Sequence, residues 1–224
     1  MHRLAGLIVG ALVLTSQVPP ATAARTVCRT ITDDVGDAAW PDFPELRGVP
    51  GDDGDDLVTA DVASDGTQLT AVWRLVRLRQ PNSSAPLGQT FTLEFRATGS
   101  PLLLYLSATN ATLGPTYSFG YFEDVGPLPQ ARPLGTGRGV FDVVHGEVRM
   151  TVATRGFAPA RVRIVRGTRL TSLSARSGRV VHPGAETPVV AGQHAFVQPD
   201  VLSFDRAEGS RYVVGTPSCV RPVR

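Results

Sequence analysis

The stretch from residue 57 to residue 78 constrains the fold more than any other part of this chain. Two apolar-rich runs, Leu57–Ser64 and residues 67–78, flank Asp65-Gly66, a dipeptide suited to a two-residue hairpin turn. A loop of that length pairs Val62 with Leu69, Ala60 with Ala71 and Val58 with Trp73. All six then share one face, and Asp61, Thr70 and Arg74 share the other. A slip of one residue would turn every apolar side chain to water, so the pattern demands an antiparallel pair with one buried face.

The same alternation recurs downstream. A second hairpin is expected to turn at His145-Gly146, setting Val143 against Val148 and Phe141 against Met150. Residues 90–97 place Phe91, Leu93 and Phe95 opposite Thr92, Glu94 and Arg96. Further strands are expected at 102–108, around Tyr117, Phe119 and Tyr121, and at 161–165, 170–175 and 211–214. Residues 41–55, 80–88 and 126–139 read as looser connections. No segment shows the 3.6-residue period of a three-turn amphipathic helix. Short strands punctuated by 23 Gly and 18 Pro predict an all-β, two-sheet antiparallel sandwich.

The first residues read as an export signal. Met1-His2-Arg3 is a short basic start, residues 4–14 are apolar, and Ala21-Thr22-Ala23 offers a small-x-small cleavage site. Residues 1–23 are therefore expected to be removed, leaving one domain over 24–224 that is secreted or held in the cell envelope. The apolar run is too short for a permanent bilayer span, and no second run is long enough. Export places Cys28 and Cys219, the two cysteines of the chain, in an oxidising compartment, and they can form one bridge. That bridge would bring the two ends of the domain together.

Charge narrows the partners. All 22 basic residues are Arg, against 20 acids, for a formal net charge of +2, which is no footprint for a nucleic-acid binder. Ten of the arginines fall between Arg132 and Arg179, spaced through alternating segments as on a solvated sheet face. The acids are concentrated elsewhere. Residues 33–65 carry eleven acids and one base, in the clusters Asp33-Asp34-Val35-Gly36-Asp37 and Gly51-Asp52-Asp53-Gly54-Asp55-Asp56. Packed carboxylates repel, whereas Ca²⁺ takes six to eight oxygen ligands from adaptable Asp/Gly loops. Asp34, Asp37 and Asp56 are the expected ligands of a structural calcium ion, although the spacing is not that of an EF-hand.

The opening Ile31-Thr32-Asp33-Asp34-Val35-Gly36-Asp37-Ala38 resembles the D-x-x-G-D-A start of secreted actinobacterial-type β-sandwich domains. Asp56-Leu57-Val58, the Asp65-Gly66 hairpin, Asp205-Arg206-Ala207 and Tyr212-Val213-Val214-Gly215 fit the same pattern. This is the broad DOMON-like group, similar in fold to the family-nine carbohydrate-binding modules. The resemblance implies a jelly-roll-like sandwich, with sugar or haem as ligand, and brings Asp205 towards the acidic N-terminal loops as a further metal ligand.

Haem would need an axial pair such as Met and His. Met150 is expected in the core, and His145, His182 and His194 in loops, so haem or electron transfer is the weaker reading. For sugar, Trp40 is the expected exposed ring, with Tyr105, Tyr117 and Tyr121 as a possible sheet-surface row, while Trp73 is expected to pack inside. No nucleophile elbow, HExxH pair, Walker loop or dinucleotide fingerprint is present. The sequence thus predicts a secreted, non-catalytic module that binds carbohydrate or a cell-envelope component. A purely structural or protein-interaction role is the alternative.

Overall fold

The computed structural model describes residues 28–39, 53–78, 88–111, 114–125, 128–180, 186–189, 193–196 and 201–220. The expected leader, Trp40 and His182 lie outside the described residues. Strand outweighs helix 63% to 5%, so the chain is all-β, and two antiparallel sheets pack face to face. One sheet contains β1 (Ile31–Thr32), β2 (Leu57–Ser64), β3 (Gln68–Leu75), β8 (Arg138–Asp142) and β9 (Glu147–Ala153), in the order β1-β2-β3-β9-β8. The other contains β4 (Gly88–Ala97), β5 (Leu103–Ala111), β6 (Gly114–Val125), β7 (Leu128–Thr136), β10 (Arg169–Val180) and β13 (Val201–Glu208). Its order is β13-β10-β4-β5-β6-β7, and β14 (Tyr212–Val213) also pairs with β10. A separate hairpin joins β11 (Glu186–Val189) to β12 (Gln193–Phe196).

Between the sheets lies one core. Trp73 of β3 meets Phe91 of β4 with ring centroids 6.5 Å apart, and Phe91 in turn meets Phe141 of β8 at 6.1 Å. Trp73, Phe91, Leu93, Leu106, Val148 and Met150 are fully buried there. Each fully buried aromatic or aliphatic side chain contributes on the order of 2 kcal/mol by leaving water, which makes this layer the main source of stability.

Both hairpins form on the expected faces but two residues out of the expected register. Val62 pairs with Ala71 and Ala60 with Trp73, and Phe141 pairs with Val148 and Gly139 with Met150. The turns are longer than two residues because acidic side chains build them. Asp65 Oδ1 accepts the backbone N–H groups of Thr67 (2.7 Å) and Gln68 (2.8 Å). Asp142 accepts the His145 backbone N–H at 3.2 Å and contacts its ring at 2.7 Å. A shift of two preserves sidedness, so the core residues were assigned correctly. Val58 is the exception: a bulge between Leu57 and Thr59 turns Leu57 inward and leaves Val58 half-buried.

Two segments differ from the sequence pattern. Residues 161–165 form no strand; they follow a 3₁₀ turn over Thr154–Ala160 that ends with Arg161 at φ +58°. Val162 and Ile164 are nevertheless buried, so their alternation reports inward packing without ladder hydrogen bonds. Conversely, residues 126–139 contain β7 and the start of β8. Pro129 and Pro133 fit in β7 because it is the last strand of its sheet, and an edge strand tolerates residues that cannot donate.

The expected disulfide is present: Cys28 and Cys219 are bonded, with Cα atoms 5.3 Å apart. It brings both ends of the described domain together, beside the contact of β1 with Gly209 that follows β13. Several of the clustered arginines are tied to acids, Arg132 to Glu123 at 2.7 Å and Arg176 to Glu94 at 3.0 Å. No helix among the described residues is long and apolar enough to cross a membrane.

Candidate functional site

The acidic loops converge where the first and last long strands meet. Strand β1 turns Ile31 inward and Thr32 outward, and period two then carries Asp33 inward. The Asp33 backbone N–H bonds the Val58 carbonyl at 3.1 Å, which extends this contact by one residue. The chain then bends through Gly36, whose φ of +92° few other residues adopt. That bend aims the Gly36 N–H at Asp56 Oδ2, 2.7 Å away. Asp56, buried at the entry to β2, also accepts the Val76 N–H through its carbonyl at 3.0 Å.

From the far end of the sequence, β13 delivers Asp205. Its pairing with Ser177, whose partner across the sheet is Phe91, turns it towards the space between the sheets. Asp205 Oδ2 accepts the Leu57 backbone N–H at 2.7 Å. One carboxylate oxygen from each of Asp33, Asp37 and Asp205 lies within 4.8 Å of the others. Two oxygens on opposite sides of one Ca²⁺, each at ~2.4 Å, would be ~4.8 Å apart, so a single ion can reach all three.

Burial and mutual repulsion disfavour the ionised forms of these acids, and the Asp33 and Asp205 carboxyl groups share a hydrogen bond. Burial raises the carboxyl groups of Asp33, Asp56 and Asp205 above the usual range, and Asp205 is pushed up to about 7. For Asp205, burial is the largest cause and repulsion from Asp33 adds to it, while the Leu57 N–H opposes both. Asp37 adds to the repulsion on all three. No Arg or His among the described residues pairs with Asp33, Asp37, Asp56 or Asp205. Asp33 Oδ2 and Asp56 Oδ1 are buried and accept no hydrogen bond. A buried acceptor without a donor is costly. An all-oxygen carboxylate set on loops suits Ca²⁺ better than a transition metal.

The neighbouring Asp55 has the opposite fate. It is fully buried and bonded by Arg179 of β10, with the Arg179 Nε 2.8 Å from Asp55 Oδ2. Ser177 donates to its carbonyl, and the Gln89 amide donates to the Gly54 carbonyl. These bonds clamp the 53–56 loop to the seven-stranded sheet and hold Asp56 beside the acidic trio.

Of the expected metal ligands, Asp37 and Asp205 enter the trio and Asp56 lies next to it. Asp34 is exposed and outside it; its backbone N–H merely bonds Asp33 Oδ1 at 3.1 Å. Asp33 was missed, although the inward parity set by Ile31 was available to find it. The three tyrosines do not share a surface. Tyr117 and Tyr121 pair with the core residues Ala108 and Leu104 and face the inter-sheet layer. Tyr105 points out of the opposite face, packs on Phe122 at 5.1 Å, and is buried enough to push its phenol up to about 12. Met150 is in the core, His145 is exposed on its turn, and His194 belongs to β12.

No family model, curated protein or solved structure matches this chain.

Proposed function

We propose that this protein is an exported, non-catalytic binding module whose sandwich is locked by Ca²⁺ and which engages a carbohydrate or cell-envelope polymer. The observation that carries the metal is the meeting of Asp33, Asp37 and Asp205, with the unsatisfied Asp56 Oδ1 beside them. Asp33 and Asp37 flank the bend after β1, and Asp205 sits on β13. An ion there would tie the start of the domain to its last long strand, at the end of β2 opposite the segment that carries Cys219. Its role would be to hold loops in place, with no chemistry of its own.

The polymer half of the reading is supported by the export-type start and by the DOMON-like resemblance, with Trp40 as the expected contact. The test joins both halves. Thermal melting of the mature chain should shift upward with Ca²⁺ and return with chelator, and immobilised envelope polysaccharide should retain the wild type but not Trp40→Ala. An unchanged melting temperature removes the metal. Equal retention of the wild type and the variant removes Trp40 as the contact.

A further inference from the structure

A second concave site lies at the opposite end of β2 from the acidic loops. A cleft of about 330 Å³ opens between the β2–β3 turn, residue 166 and the segment 215–220. That volume sits at the small-molecule end of ligand pockets. Its walls carry Asp65, Gln68, Arg166, Thr216 and Ser218, with Val220 among the apolar groups.

Two of these residues bear opposite charges, and both are exposed. The turn bearing Arg166 is pinned by Gly167 N–H to the Val214 carbonyl at 2.8 Å and by Val214 N–H to the Thr168 carbonyl at 2.9 Å. The Arg166 side chain lies over Gly215, where an added Cβ would come within 2.9 Å of its Cγ. Gly215 thus leaves the space that the arginine stem occupies. Asp65 is held by its own turn, and every hydrogen bond it accepts from the described residues falls on Oδ1. Neither Arg166 nor Asp65 has an ion-pair partner among the described residues, and they do not pair with each other.

We propose that this cleft binds a zwitterion, a free α-amino acid or a dipeptide. Its carboxylate would meet the Arg166 guanidinium, and its ammonium would meet the second oxygen of Asp65. Selection follows from charge. A simple anion is repelled by Asp65, a simple cation by Arg166, and a neutral ligand would cover both charges without pairing either. The apolar wall at Val220 accommodates an aliphatic side chain.

The experiment is an amide NMR titration of the mature, Ca²⁺-supplemented protein with leucine and with glycyl-leucine. Saturable shifts at Gly66, Gln68 and Gly215 are expected. N-acetyl-leucine, leucine amide, Arg166→Gln and Asp65→Asn should each weaken binding about tenfold or more. Asp65→Asn keeps a turn-forming acceptor, so unchanged melting of both variants separates lost recognition from lost folding. No saturable shift, equal binding of the capped ligands, or saturation by a neutral hexose overturns the proposal. Asp205→Asn, at the other end of β2, should leave this binding intact, so failure of the metal reading and failure of this one are distinguishable.

Discussion

Asp205 Oδ2 accepts the Leu57 backbone N–H at 2.7 Å, a bond that spans 148 positions of sequence and joins the last long strand to the first. The same carboxyl group contributes to the trio with Asp33 and Asp37. One side chain therefore ties one sheet to the other and also carries a charge that its surroundings oppose. A cation bound there would relieve that opposition and so stabilise the sandwich.

Asp205→Asn separates the two roles, because the amide oxygen still accepts the Leu57 N–H while the charge is gone. At Ca²⁺ one hundred-fold above its dissociation constant, the wild type should gain about 2.7 kcal/mol. The variant should gain less than half of that in calorimetric melts with and without the ion. Without Ca²⁺ it should melt no lower than the wild type.

The acid cluster also sets a pH dependence. Asp205 is raised to about 7 in the folded chain, well above an exposed aspartate, so the folded state holds a proton that the unfolded state has released. In chelator, the stability contributed by this group should be fully present below about pH 4 and be lost as pH rises through 7. Saturating Ca²⁺ keeps the carboxylates ionised and should flatten that slope in urea titrations at stepped pH.

The Cys28–Cys219 bridge closes a loop of 191 positions. By chain entropy, removing it with the double Cys→Ser variant should cost about 5 kcal/mol. Urea unfolding of the oxidised protein against the variant measures this, and a loss below about 1 kcal/mol would show that the ends are held by other contacts.

Gly139 of β8 has no space for a side chain. A methyl there would collide with the Tyr117 ring from the facing sheet and with the Arg149 carbonyl of the neighbouring strand β9. Gly139→Ala should destabilise by about 1–3 kcal/mol. Gly36→Ala meets no neighbour and tests backbone conformation alone at φ +92°.

The inter-sheet core was readable because the face a side chain takes follows parity, even though the other face of β2 and β3 is also covered, at Asp61, Thr70 and Val72. Trp73, Ala60 and Val62 alternate with Asp61 and Arg74, and a register error of two left that parity intact. Register itself was not readable, because it depended on how Asp65 and Asp142 capped their turns. The edge strand β7 was hidden by its prolines, since only a place at the end of the sheet makes them acceptable.

Local pattern thus determined the strand class, the inward residues and the pair of sulfurs, each of which follows from side-chain period or from elimination among few candidates. Tertiary structure alone decided which aspartates meet. Asp34 and Asp33 are neighbours of the same type, yet only the inward one joins Asp205, and Asp55 found Arg179 while Asp56 did not. Those choices depend on which distant strand arrives at the loop, and a carboxylate's range of action is a few ångströms of space, whatever the distance along the chain.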